Sequence, residues 1–327
     1  MAPLKHINKF MKVSEHITNA KKTLFSFEIL PPLKGMSITS IYDSLDPLMD
    51  FNPPFIDVTY HREEYVYKKR KDGLLERRAV RKRPGTVGIC AAIMNKYNVD
   101  TVPHIICGGF NQEETENALI DLDFLGVDNV LVLRGDPIKN ETYFTPEEGG
   151  HSYAYELLEQ VDSMNKGIYL DDELKNSTPT NFCIGVAGYP EKHFEAPNIQ
   201  SDIHFLKKKV EAGADYIVTQ MFFDNQKYFD FVNLCRQNGI TIPIIPGLKP
   251  ISTQRQLTLL PQRFYLNVPN ELVNSVIKCK NNLEVRRVGV EWATQQVKEL
   301  IDFGVPCVHF YTMGKSDNIR DIVSRFS

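Results

Sequence analysis

Ser26-Phe27-Glu28-Ile29-Leu30-Pro31-Pro32 sets the reading of this chain. Side chains alternate across a strand, so Phe25, Phe27 and Ile29 share one face while Ser26 and Glu28 share the other. Two prolines then stop the strand. A carboxyl on the inner face of an otherwise apolar strand suits the lumen of a barrel. There its proton affinity rises, the condition a general acid needs near neutral pH. The competing reading is a structural Glu paired with a core Arg or His.

Outward from this strand the same unit recurs. Short β-branched and aromatic runs at 24–29, 55–60, 101–107, 128–134, 181–187, 214–220, 242–246 and 306–312 read as strands. Helical periodicity fills 37–49, 86–97, 112–125, 151–164, 201–212, 226–238, 253–260 and 284–303. In 112–125, Asn111 caps, Glu113 and Glu114 suit the positive helix start, and Gly126 stops the helix. Eight β-then-α units predict an α/β fold, a single-domain (β/α)8 TIM barrel over 23–327, with 1–22 as an N-terminal extension and first helix. An open doubly wound sheet is the competitor, but no G-x-G-x-x-G follows any strand and no Walker-type loop is present.

A barrel carries its chemistry at the C-terminal strand ends. Polar residues gather there. Strand one ends in Glu28, strand two in Thr59-Tyr60-His61, and strand three carries His104. Strand four ends in Arg134-Gly135-Asp136, strand five leads to Tyr189, and strand six ends in Gln220. Val130, Val132 and Arg134 share a face, which brings the Arg to the rim, where its fork suits phosphate or a carbonyl. The alternative for Arg134 is a rim salt bridge. The loop from Gly188 to Ala196 mixes Tyr189, His193 and carboxylates, a set that suits a stacked heterocycle carrying hydroxyl and phosphate groups. A lone strand His is more often a hydrogen-bonded core residue than a metal ligand, and no HExxH or Cys/His cluster accompanies His104, so no catalytic metal is expected. No G-x-S-x-G elbow is present to suggest a hydrolase.

The 327 residues carry 38 Lys and Arg against 41 Asp and Glu, a net charge of −3, so no global field favours nucleic acid or an anionic membrane. Residues 68–83 depart from this balance, with nine basic side chains against two acidic ones around an Asp72-Gly73 hairpin signal. This basic insertion, at about 62–85, reads as a solvated excursion after strand two; a sharper hypothesis is that it attracts a polyanionic substrate tail. The six cysteines form no CxxC pair, and buried, reduced thiols fit a reducing, cytoplasmic compartment. Met1 to His6 leads into no apolar stretch of signal-peptide length, Met11 is a candidate alternative start, and no apolar run is long enough for a membrane span.

Taken in order, these segments resemble the methylenetetrahydrofolate reductases. The matching stretches are SFEILPP at 26–32, IDVTYH at 56–61, PHIIC at 103–107 and LRGDP at 133–137. GYPEKHFEA at 188–196, KKKVEAGADYIVTQMFFD at 207–224, IIPG at 244–247 and HFYT at 309–312 complete the set. The resemblance implies a barrel flavoprotein of one-carbon and methionine metabolism, with FAD as cofactor and NADH or NADPH as electron donor. It reduces 5,10-methylenetetrahydrofolate to 5-methyltetrahydrofolate by ping-pong hydride transfer, and family members are usually homo-oligomers. By the same resemblance Glu28 matches the general acid and Asp136 the carboxylate beside flavin and pterin. Thr59, His104, Arg134, Gly135, Asp136, Tyr153, Ala154, Tyr189, His193, Asp202 and Lys209 match FAD contacts. Asp202 and Lys209, seven apart on a predicted helix, lie on one face. Gln220, Gln256 and Arg286 match folate contacts beside Glu28 and Asp136, with Arg287 as the neighbouring register for the last. Leu260 stands where a ring-stacking Phe is expected, and SFEILPP replaces the more usual SFEFFPP. The chain ends soon after the eighth strand, so no adenosylmethionine-binding regulatory domain is expected. Two alternatives stay open: a pterin-binding barrel methyltransferase without flavin, and a folate- or flavin-binding module without turnover.

Overall fold

A computed structural model describes residues 10–138, 141 and 143–326 of the chain; the readings placed on Met1 to His6 lie outside them. Helix α1 (Val13–Asn19) precedes strand β1 (Leu24–Ile29). The barrel continues through β2 (Phe55–Val58), β5 (Asp100–Ile106), β6 (Asn129–Leu133), β7 (Cys183–Gly188) and β8 (Tyr216–Thr219). All pair in parallel in that order, and β11 (Cys307–Tyr311) returns to lie against β1, with Ser26 opposite His309 and Glu28 opposite Tyr311.

The seventh strand position is split. β9 (Ile244–Ile245) pairs with β8, and β10 (Gly247–Leu248) pairs with β11. Pro246 lies between them; it has no N–H to give a ladder, and its carbonyl accepts from His309 N at 2.9 Å. The chain changes neighbours at that residue, and the ring of eight strand positions closes. The TIM barrel expected from the repeating units is therefore the fold.

Two apolar layers hold the barrel. Outward-facing Phe27, Ile29, Val58, Val130, Val132, Ile184 and Ile217 pack against the helices through Leu45, Leu119, Leu157 and Leu206. Inward-facing Phe55, Val102, Leu131, Cys183, Tyr216 and Cys307 fill the lumen, and Val13 of α1 plugs its N-terminal end. Val13 N donates to Asn129 Oδ1 at 2.7 Å, and His16 meets Asp100 at 2.6 Å. These contacts tie the first helix to the barrel floor. The same two layers fix the faces of β6. Val130 and Val132 face the helical shell, whereas Leu131 and partly buried Leu133 belong with the lumen. Both faces of a parallel barrel strand are apolar, so alternation alone does not say which one is inside.

The shell comprises α2 (Thr39–Met49), α3 (Thr86–Tyr97), α4 (Gln112–Phe124), α5 (Ala154–Asn165), α6 (Ile199–Glu211), α7 (Asn225–Gln237), α8 (Gln256–Phe264) and α10 (Asn282–Phe303). These match the expected helices to within a few residues. Two more were not anticipated, α9 (Asn270–Ile277) and α11 (Asp317–Val323). Each is too short for periodicity to stand out. The basic insertion forms an antiparallel hairpin of β3 (Glu64–Lys69) and β4 (Leu75–Val80), a two-stranded sheet of its own. Gly73 takes φ +85° at the turn, and Asp72 Oδ1 accepts from Leu74 N at 3.2 Å. The hairpin base is tied to the barrel rim by Arg81 to the Tyr60 hydroxyl, 2.7 Å, and Lys34 N to Lys82 O, 2.8 Å. Its strands are otherwise largely exposed, as expected of a solvated excursion.

Candidate active site

Glu28 ends β1 inside the lumen, with its side chain 15% exposed. Withdrawal from water raises its carboxyl from the ordinary 4.5 to about 7; nearby Asp57 adds to the rise, while His104 and Lys249 oppose it. His104 Nε2 lies 3.7 Å from Glu28 Oε2 and 3.5 Å from Asp57 Oδ2. Lys249, 7% exposed, is pushed down to about 8 by burial and then by Lys315. Tyr311, beside Glu28 in the register, donates its hydroxyl to Thr219 O at 2.6 Å. The lumen mouth thus holds a carboxyl raised towards neutrality by burial, as expected of an inner-face carboxyl, with core His104 beside it as in the competing structural reading.

Thr59 follows β2, its hydroxyl 3.3 Å from Ile29 O. Arg134 leaves β6 at the rim, bridges to Glu195 at 2.6 Å and sits 5.2 Å from the Phe144 ring centroid. The rim ion pair weighed for Arg134 is therefore present, with a partner from the β7 loop. Gly135 adopts φ +86°, and an added Cβ would press Ile106 at 3.3 Å, so this bend suits glycine. Asp136 is exposed and acts on both His61 and Tyr189.

The β7 loop folds as an aromatic shelf. Tyr189 and His193 meet edge-on with centroids 4.8 Å apart, and burial raises the Tyr189 phenol. Burial, then Arg134, lowers His193 to about 4, so its ring is neutral at pH 7. Asp202 on α6 accepts from His193 N at 2.8 Å. Lys209, on the same helix, donates to Ala187 O at 2.6 Å and is lowered by burial to about 8, with Asp202 opposing. The Asp202 and Lys209 pair expected on one face does interact. Tyr153, 49% exposed, precedes α5 and stacks on Tyr155, and Ala154 begins that helix.

Beside this shelf, Gln220 follows β8, donating its backbone N–H to Gly188 O at 2.8 Å. Gln256 opens α8, its side-chain carbonyl oxygen holding the preceding loop by accepting from Ser252 N at 2.7 Å and Thr253 N at 3.1 Å. Its amide NH2 is the group left to meet a ligand. Arg286 and Lys315 line a recess of about 250 Å³ with Ser252, Thr253, Asn282 and Asn318. Arg286 is oriented by Asn318 Oδ1 at 2.7 Å, while Arg287 is exposed, so Arg286 is the Arg of this recess. Leu260 is buried among Met221, Phe223, Ile251 and Leu272, with no face free for stacking on a ring. A larger recess, about 500 Å³, opens beside His104 and is lined by Tyr60, Arg81, Thr86, Ile105 and Phe110.

Sequence reading assigned no role to Asp57, Lys249, His309 or Tyr311. The signal for Asp57 was present: it interrupts the apolar strand Phe55, Ile56, Val58 on the same face as Thr59.

Fold and site together define a TIM barrel with an ionisable lumen and a cationic, aromatic rim. Residues 12–327 match the family model of methylenetetrahydrofolate reductase. Methylenetetrahydrofolate reductase (NADH) 1 of Arabidopsis thaliana is 34% identical over 316 residues, covering 93% of this chain and 48% of the relative. The 5,10-methylenetetrahydrofolate reductase of Buchnera aphidicola subsp. Baizongia pistaciae is 31% identical over 307 residues, covering 93% of this chain and 92% of that one. The chain belongs to the methylenetetrahydrofolate reductase family. It spans about half the length of the plant and fission yeast relatives it matches. A solved protein from Clostridium thermocellum, described as binding two copies of 5-methyl-5,6,7,8-tetrahydrofolic acid, superposes with a TM-score of 0.55 at 12% identity over 95% of both chains, a likeness of fold.

Proposed function

We propose that this chain reduces 5,10-methylenetetrahydrofolate to 5-methyltetrahydrofolate with NADH or NADPH as donor and FAD as carrier. Family membership supports the reaction, and the observation that carries the chemistry is Glu28, part-buried at the lumen mouth with its carboxyl raised to about 7. An acid of that strength delivers a proton near neutral pH and retakes it. Glu28 assists the protonation that opens the methylene bridge to an iminium at folate nitrogen 5. Asp136 favours the cation as it forms. Gln220, Gln256 and Arg286 bind the folate, Arg286 with Lys315 meeting its glutamate carboxylates.

The donor set along β6, β7 and α6 fits FAD. Arg134 and Lys209 are cations for phosphate, and Thr59, His104 and Asp202 are hydrogen-bonding groups for a polyol or ring. Gly135 allows close approach to the backbone, and Tyr153, Ala154, Tyr189 and His193 supply flat or small surfaces. When bound, the flavin supplies the two-electron carrier between nicotinamide and folate. We place the protein in the cytoplasm, as a homo-oligomer in one-carbon and methionine metabolism. Among the described residues no helix is long and apolar enough to cross a membrane.

The purified protein should be yellow, bleach anaerobically with NADH or NADPH, and regain colour on adding methylenetetrahydrofolate. A colourless protein that binds folate would favour the methyltransferase reading, and bleaching without recovery the idle-module reading. Lys209→Met should weaken flavin binding about 10- to 100-fold, the scale of one lost charge-assisted hydrogen bond, as read by fluorescence titration of the apoprotein with FAD. Unchanged affinity would remove Lys209 from the site. Replacing Lys68, Lys69, Arg70 and Lys71 by Gln should raise KM for a polyglutamylated folate, and less so in high salt. An unaltered KM at low salt would leave the hairpin as a solvated excursion.

A further inference from the structure

Asp57 is fully buried in the middle of β2, and neither of its carboxylate oxygens has a hydrogen-bond partner among the described residues. Buried carboxylates kept for architecture are hydrogen-bonded, because an unsatisfied one costs its desolvation. The groups around Asp57 converge on it without closing. His104 Nε2 is 3.5 Å away and is itself unpartnered. His309 Nδ1 is 4.0 Å away, but it is already engaged by Ser26 Oγ at 2.9 Å. The buried Tyr216 hydroxyl is also unpartnered, and Asp57 helps to raise it. Gly185 leaves the space that this tyrosine ring occupies, since a Cβ there would lie 2.4 Å from it.

His104 Nε2 therefore stands between two carboxyl groups, Glu28 at 3.7 Å and Asp57 at 3.5 Å, bonded to neither. We propose that Asp57 is a positioning residue for the Glu28 acid: it draws the His104 N–H towards itself and sets a like charge beneath Glu28, so that Glu28 keeps its proton until the folate step. Both effects have the same sign. Without the Asp57 charge, repulsion on ionised Glu28 disappears and the His104 N–H has only Glu28 to meet, which stabilises the ionised form. The other groups facing Glu28 are Lys249, which also favours ionisation, and Tyr311 from β11. Neither replaces Asp57.

This inference rests on the reading of Glu28 as the acid of the folate step, which Glu28→Gln compared in the two half-reactions decides separately. Its own test is read in the resting protein. In protein labelled with 13C at the glutamate carboxyl, the Glu28 signal is identified by its loss in Glu28→Gln. Its titration midpoint should fall by at least about one pH unit in Asp57→Asn and in Asp57→Ser, two replacements that remove the charge with different shapes. Recovery of flavin colour by methylenetetrahydrofolate should then be about tenfold slower than wild type above the midpoint, and the deficit should close as pH is lowered. A Glu28 midpoint unmoved in both folded variants overturns the proposal. So does a rate deficit that is the same at every pH, since that is what a merely structural Asp57 produces.

Discussion

Glu28→Gln is expected to leave bleaching of the flavin by NADH or NADPH at the wild-type rate and to slow its reoxidation by methylenetetrahydrofolate about 10²- to 10⁴-fold. That is the usual contribution of a positioned general acid. The amide keeps the size and much of the hydrogen bonding of the carboxyl but has no proton to give. Equal loss in both half-reactions, measured by anaerobic stopped-flow absorbance, would contradict the role. The same carboxyl sets a pH dependence. Its raised value of about 7 means that the competent, protonated form dominates below pH 7. The folate half-reaction should therefore be flat on the acid side and fall about tenfold per unit well above pH 7. That limb should vanish in Glu28→Gln, whereas bleaching by the nicotinamide should not share it.

Gly247→Ala should be among the most damaging single substitutions for stability. Gly247 opens β10, where the seventh strand position changes neighbours, and its N–H donates to Thr219 Oγ1 at 3.0 Å. A Cβ there would lie 2.3 Å from Thr219 O and 2.6 Å from the Tyr311 ring. The tyrosine could turn aside only by giving up its hydrogen bond to that same carbonyl. The carbonyl belongs to the neighbouring barrel strand and cannot yield alone. Overpacking of this severity costs about 3 kcal/mol, and the melting temperature should drop by at least about 5 °C. Gly88→Ala is the matched control: it lies within α3 with nothing within 4 Å of an added Cβ, so helix propensity should leave stability unchanged or slightly raised. A Gly247→Ala protein that melts with wild type would show that the barrel closes more loosely than the packing implies.

How far the sequence could be read follows from the range of the forces involved. β1 was legible to the residue because its pattern is local: alternating large apolar groups, then two prolines. The hairpin in the basic insertion was signalled by Asp72-Gly73 for the same reason. Residues of the β7 loop and α6 were brought together as a set only by the family resemblance of GYPEKHFEA and the stretch that follows it. Which face of β6 looks inward was not legible, since Val130, Leu131, Val132 and Leu133 are all apolar and both sides of the strand are covered. Helix α11 was missed because it is short and owes its stability to burying Ile319, Ile322 and Val323. Its own periodicity contributes little.

By itself the sequence determined the repeating β-then-α order, and hence the barrel, together with the carboxyl on the inner face of the first strand. Both depend on patterns a few residues long, which the backbone period converts directly into faces and ends. Only the tertiary structure decided that Pro246 divides the seventh strand position between two neighbours, and that Asp57, His104 and Glu28 from three different strands meet in one place. Coulombic and desolvation effects act between groups far apart in the chain, so the proton affinity of Glu28 exists only once the barrel is closed.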